Sequence, residues 1–217
     1  MQVFVQMRQW MSGALAGLAM SFGLAGAAAQ AAPVFFTSEP AFQSAASGVA
    51  FNLESFEGSN QFGGPIAFAD FTVTSTGNTV LETTTDQFPT DGTETLLMQA
   101  NGAPSGAVTF TFSQAINAFA IDVIDFGTAG PNDLTVTTDN GSQQIFTGFI
   151  GGGIGLPVFA GVFDTDSFTT VTLAFSDDND FVIFDTAQFG ALELPAPGAA
   201  GLLALGLIGI GFSRRRD

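Results

Sequence analysis

The chain has 217 residues, twenty acidic and four basic, with no cysteine, histidine or tyrosine. All four basic residues (Arg8, Arg214, Arg215, Arg216) lie near the termini and of the acids only Asp217 does, so the stretch from Pro33 to Leu194 carries nineteen acids and no Lys, Arg, His, Cys, Tyr or Trp. That inventory removes the bases, activated nucleophiles and imidazole or thiolate ligands that most catalytic and zinc sites need, and its sign excludes nucleic acid as a partner while favouring cations.

At the N-terminus, Arg8 precedes an apolar run from Trp10 to Ala28 that ends in "AGAAAQAAP". Small-residue cleavage sites after Ala29 or Ala31 make residues 1–31 a secretory signal peptide. The domain that follows, 33–192, has no disulfide, so its stability must come from burial, to which the chain's 25 phenylalanines can contribute at about 1.5–3 kcal/mol for each ring fully buried.

"SEPAFQSAAS" predicts the one helix, with Ser38 as its cap and Pro40 in its first turn. From Val49 onward, short segments alternate apolar and polar residues between Gly, Pro, Asn and Asp, which is the period of half-buried strands. Strands are expected near 49–56, 66–75, 79–84, 94–99, 106–112, 116–125, 133–138, 143–149, 157–163, 168–175 and 181–190. Asn140-Gly141 between two of them predicts a tight hairpin with positive φ at both residues; the same letters form a glycosylation sequon, but the turn needs no modifying enzyme. So many strands without intervening helices predict an all-β fold, an antiparallel β-sandwich of jelly-roll type.

Little chemistry fits the remaining side chains. "GFIGGGIGLP" matches no phosphate-binding pattern and reads as a loop. A carboxylate pair could hydrolyse glycosides, but spacing along one sequence does not define such a pair, and the domain is read as non-enzymatic. Calcium is the one metal the composition favours, through Asp and Glu oxygens. Its candidate ligands are Glu57 in "SFEGS" with Asp185 in "VIFDTAQF"; Asp164 with Asp166, and Asp177, Asp178 and Asp180, read rather as solvated turns. Asp185 stands out because an unpartnered carboxylate in an apolar strand is costly.

The segment from Gly198 to Ser213 is uncharged and rich in Leu, Gly, Ala and Ile. As a helix it spans roughly 24 Å, against about 30 Å of bilayer core. Apolar on every face, it is no core helix, and Arg214 to Arg216 keep its C-terminal end in the cytoplasm with the domain outside. Pro195 and Pro197, the short apolar helix and the terminal arginines together resemble the PEP-CTERM class of bacterial sorting signals, including variants built on Val-Pro-Leu-Pro-Ala. Ala196 departs from the commonest form, which has glutamate there. The resemblance covers about the last 24 residues, and "SFEGS" and "VIFDTAQFGAL" are similar to elements of Phe-rich jelly-roll bodies that precede such tails. It implies a Gram-negative bacterium and an exosortase that recognises the tail, cleaves near the prolines and delivers the protein from the inner membrane to the cell surface or extracellular matrix. The expected protein is thus an exported, acidic structural or adhesive β-sandwich, with extracellular polysaccharide as a candidate partner; the alternative is a secreted carbohydrate-binding or glycoside-cleaving domain.

Overall fold

In the computed structural model, residues 32–58, 61–76, 79–85, 88–100, 106–124, 132–149, 157–175 and 181–193 are described. The signal peptide, the sorting tail with Pro195, Pro197 and Arg214 to Arg216, the Asp177–Asp180 cluster and most of the Gly-rich segment lie outside them. Among the described residues no helix is long and apolar enough to cross a membrane.

The alternating segments become antiparallel strands of a single hydrogen-bonded sheet. In chain order they are β1 (Val34–Phe36), β2 (Val49–Glu54), β3 (Ile66–Ala67), β4 (Phe71–Thr76), β5 (Thr79–Thr84), β6 (Thr95–Ala100), β7 (Gly106–Ile124), β8 (Asn132–Thr138), β9 (Gln143–Phe149), β10 (Val158–Phe175) and β11 (Phe181–Leu192), with one helix, α1 (Glu39–Ala45), between β1 and β2. The spine runs β5-β6-β11-β7-β10-β8-β9, with β1 on β10, β2 on β11, and β3 and β4 on β7.

Two strands expected in each case turn out to be one long one. The first half of β7 pairs with β4 and with the second half of β10, whereas its second half pairs with β11 and with the first half of β10. Each strand therefore belongs to two layers. Where they cross over, the β7–β10 register slips on either side of Phe168, and Ser113–Ala115 of β7 and Thr165–Ser167 of β10 are exposed. Polar bulges are how a strand changes direction without breaking its pairing, and they interrupted the alternation enough to read as loops.

The two halves of the sheet face each other through phenylalanines. Phe71 meets Phe189 with ring centroids 5.4 Å apart, Phe110 meets Phe119 at 5.1 Å, and Phe175 meets Phe184 at 5.8 Å. These tilted and edge-on pairs suit the ring quadrupole and fill the space between the layers. On the outer side of the β11 half, Phe42 of α1 is fully buried among Phe36, Phe51 and Phe159, at 5.7, 5.3 and 5.5 Å. Gly161 beneath it leaves no room for a Cβ, which would press on the Phe159 and Phe42 rings.

Two local expectations are corrected. Ser38 does hold the N-cap position, but its side chain makes no cap bond; the Phe42 N–H bonds the Ser38 carbonyl instead. At the β8–β9 hairpin only Gly141 has positive φ, 93°, because the Thr138 carbonyl accepts from the Gly141 N–H and the Ser142 carbonyl from Thr138. That closes a three-residue loop with glycine at its left-handed position rather than a two-residue turn.

Candidate functional site

The predicted acidic pair converges on one loop, residues 88–94, from two directions. Asp185 is fully buried. Its Oδ2 accepts from the Thr90 N–H (2.6 Å), the Asp91 N–H (2.8 Å) and the Thr90 hydroxyl (3.0 Å), and its Oδ1 from the Thr186 N–H (2.8 Å). A β-bulge makes this possible: between Asp185 and Gln188 the register with β7 gains a residue, and Thr186 takes the left-handed conformation, φ 51°. In an unbroken strand the period of two would put Asp185 on the same face as Phe189, in the core. The extra residue lets Phe189 stay inside while Asp185 faces the loop.

Glu57 holds the other end of the same loop. Its carboxylate accepts from the Glu94 N–H (2.8 Å), the Thr93 N–H (2.5 Å) and the Thr93 hydroxyl (3.0 Å), and those two amides keep its carboxyl below the ordinary value. Gly92 sits beside it at φ 65°, where any Cβ would collide with the Glu57 carboxylate. Loop amides thus point at the oxygens a calcium ion would need, and a cation at either residue must displace them. Among the described residues, the buried side-chain oxygens without a hydrogen-bond partner are Glu94 Oε2 and Thr95 Oγ1 instead. No group of three or more carboxylates among the described residues is arranged to hold a metal ion.

Asp122 completes the outer network. It pairs across from Asp185, and the Thr90 hydroxyl lies 3.1 Å from its Oδ2 while also lying 3.0 Å from Asp185 Oδ2 and 2.9 Å from the Thr186 hydroxyl. One hydroxyl hydrogen serves one acceptor at a time, so the Thr90 hydroxyl donates to only one of the two carboxylates at once. Burial pushes the Asp122 carboxyl from 3.8 up to about 6; the Thr90 hydroxyl opposes this, and the charges of Glu39 and Asp185 add to it. Glu39, at the start of α1, is itself gripped by the amides of Gln43 and Gln188.

The other acids at the layer crossing serve turns. Asp164, nearly buried, accepts from Asn140 Nδ2 (2.9 Å), the Ser142 hydroxyl (3.0 Å) and the Asp166 N–H (3.0 Å), tying the β10 bulge to the β8–β9 hairpin. Asp139 accepts from the Thr169 N–H and hydroxyl at 2.9 and 2.6 Å; burial works to raise its carboxyl, but the Thr169 bonds outweigh it and hold it low. These contacts place Asp164 and Asp166 in a bridged bulge within β10, with Asp164 buried, which corrects the reading of this pair as a solvated turn.

A site that the sequence did not reveal lies at the opposite kind of place, an open edge between the layers. A cleft of about 370 Å³ is floored by Phe112 and Phe189 and rimmed by Asn52, Asp70, Gln114 and Glu193. The two rings, 5.2 Å apart, are buried except for about a twentieth of their surface, whereas the four polar residues are exposed. Each comes from a different element: Asn52 from edge strand β2, opposite Phe189 of β11; Gln114 from the β7 crossover; Asp70 from the turn before β4, whose carbonyl accepts from the Ser113 N–H; Glu193 from the end of β11, where its N–H bonds the Gly48 carbonyl. Asn117 fixes this corner. Nearly buried, it donates to the Asp164 and Thr165 carbonyls (3.0 and 3.1 Å) and accepts from the Leu192 N–H (3.0 Å), joining β7, β10 and β11. None of the four rim side chains has a hydrogen-bond partner among the described residues. An apolar floor ringed by uncommitted polar groups is the usual form of a small-ligand site.

No protein-family model and no curated protein matches the sequence. Among solved structures, the CBM22-1 xylan-binding domain from Paenibacillus barcinonensis Xyn10C aligns at 15% identity over 66% of this chain and 95% of that one, with a TM-score of 0.43. The C-terminal family 22 carbohydrate-binding module of Clostridium thermocellum Xyn10B aligns at 15% identity over 70% and 99%, TM-score 0.44; TmCBM61, solved in complex with β-1,4-galactotriose, aligns at 9% identity over 63% and 94%, TM-score 0.42. At these scores the likeness assigns this chain neither a fold family nor a ligand.

Proposed function

We propose that the protein is an exported, non-catalytic carbohydrate-binding β-sandwich, sorted by a PEP-CTERM-like tail. The observation that carries the reading is the cleft. The floor of the cleft is apolar, with Phe112 and Phe189 beneath it beside Ile116 and Leu192, and Asn52 and Gln114 each bring an amide that can both donate to and accept from sugar hydroxyls. Phe lacks the polar handle of Tyr and Trp, and here neighbouring amides stand in for it. The carboxylates of Glu57, Asp139, Asp164 and Asp185 are engaged by loop and turn donors, and Asp185 is inaccessible to any substrate, which supports binding over bond cleavage. An acidic domain of this kind, released at the surface, would act as an adhesive component of a polysaccharide matrix. Pro195, Pro197 and Arg214 to Arg216 would be read by an exosortase on the way.

The test of binding is a glycan array probed with the purified protein, beside the double variant Asn52→Ala, Gln114→Ala. Selective, saturable binding by the parent, lost in a variant of unchanged melting temperature, is the expected result; no glycan retained at any concentration would end the reading. Mass spectrometry of the protein recovered from its native host tests sorting, since both termini should be shortened, near Ala31 and near the proline pair.

A further inference from the structure

We infer that the polysaccharide taken by the cleft is one whose units carry a free, protonated amine. This inference rests on the sugar-binding reading above and goes on to its charge. Around the outer network and the crossover, the carboxylates of Glu57, Asp139, Asp164 and Asp185 are all engaged by protein N–H or O–H donors. Asp91 of the outer loop has no such donor among the described residues, but it lies away from the cleft; Asp70 and Glu193 are different again. Both are exposed, both line the cleft, and neither carboxylate has a hydrogen-bond partner among the described residues. No Lys, Arg or His stands anywhere between Pro33 and Leu194 to neutralise them.

Two fixed negative charges beside an apolar floor select by sign. A uronate, sulfated or phosphorylated chain meets repulsion both at the rim and from the rest of the domain, whose uncompensated charge acts at longer range. A neutral sugar can satisfy Asn52 and Gln114, but it gives the carboxylates only hydroxyl donors. A protonated amine on the sugar ring gives each of them a charge-assisted hydrogen bond, shorter and stronger than a neutral one. A lysine-rich peptide would also meet the carboxylates; it makes less use of a compact apolar cleft flanked by the Asn52 and Gln114 amides, each a donor and acceptor for hydroxyls, so the sugar is the better fit.

The experiment is isothermal titration of the whole protein with a short β-linked glucosamine oligomer, its fully N-acetylated counterpart, an oligogalacturonate and pentalysine, at mildly acidic pH and physiological salt. The free-amine oligomer should bind about tenfold more tightly than the acetylated one, as two partly exposed ion pairs permit, and the oligogalacturonate should not bind. In Asp70→Asn, Glu193→Gln the preference should vanish while affinity for the acetylated oligomer stays. A second double variant, Glu82→Gln with Asp91→Asn, removes the same charge outside the cleft and should keep the preference; if it loses as much, the protein is merely a polyanion attracting a polycation and the inference fails. Equal binding of both oligomers to the parent overturns the amine preference and leaves sugar binding standing. Tight pentalysine binding that depends on Asp70 and Glu193 overturns it in favour of a basic peptide. Binding of none of the sugars removes the sugar-binding reading itself.

Discussion

Replacing Asp122 by asparagine should stabilise the protein at neutral pH and do almost nothing near pH 4. The folded state holds the Asp122 proton more tightly than the unfolded chain, up to about 6 against 3.8. Its contribution to stability is therefore complete below the ordinary value and lost as pH rises from about 4 to about 6, after which it stays lost. Two units correspond to about 3 kcal/mol at about 1.4 kcal/mol each, and because Asp122 is only half-buried, solvent screening reduces this to about 1–1.5 kcal/mol. Asparagine reproduces the protonated form: its Nδ2 can donate to the Thr90 hydroxyl at every pH, and it carries no charge toward Glu39 and Asp185. Urea unfolding of parent and variant at pH 4 and pH 7.5 reads the effect, since other carboxylates titrate alike in both proteins and cancel in the difference. At the higher pH the variant should gain about 1–1.5 kcal/mol, equivalent to about 3–5 °C in a domain of this size. A gain equal at both pH values, or a loss at pH 7.5, would refute the cost assigned to the half-buried Asp122 charge.

The rest of the loop and the crossover can be tested in the same way. Asp185→Ala leaves the Thr90, Asp91 and Thr186 amides without an acceptor and should cost about 3 kcal/mol, seen as a lower urea midpoint at constant slope together with faster hydrogen exchange at Thr90 and Asp91. Gly92→Ala forces a Cβ both into a left-handed position and into the Glu57 carboxylate, so about 1–2 kcal/mol should be lost and protection of the Thr93 and Glu94 amides should fall. Asn117→Leu keeps the volume but orphans two carbonyls and one N–H, for a loss of about 2–3 kcal/mol and a broadened cleft, readable as lost glycan retention by whatever variant still folds. Asp139, whose carboxyl is held low by Thr169, contributes stability that is present above the ordinary carboxylate value and lost as pH falls; Asp139→Asn should destabilise at pH 7 and match the parent under strong acid, measured by thermal unfolding.

The strands were legible because they obey a period of two over four to eight residues, and β5, β8 and β9 fall within a residue or so of their expected ends. What the pattern could not carry was continuity. "SQA" in β7 and "DTDS" in β10 look like loops, since exposed polar residues interrupt the alternation, yet they are bulges inside strands that change layers. The three-residue β1 was missed, being too short to show any period. Asp185 announced itself as an anomaly, a charge in an apolar strand, and the structure accounts for it through a bulge that no single-sequence period encodes. The cleft was illegible for a different reason: Asn52, Asp70, Gln114 and Glu193 come from four elements, and nothing along the chain marks exposed polar residues that meet only through tertiary pairing. Asn117 gave no signal either, as its three bonds all go to main-chain groups of remote strands.

β11, the last strand of the sheet in chain order, is also one of its central ones, holding β2, β6 and β7 at once and supplying Asp185 to the loop clamp. A growing polypeptide can therefore form local hairpins such as β8–β9 early, but the two layers have no keystone until residue 192 has been made. Tertiary closure waits for the final stretch of the domain, a consequence of long-range pairing that slows folding. Until then the nascent chain holds no more than isolated hairpins, pliable and easily unravelled.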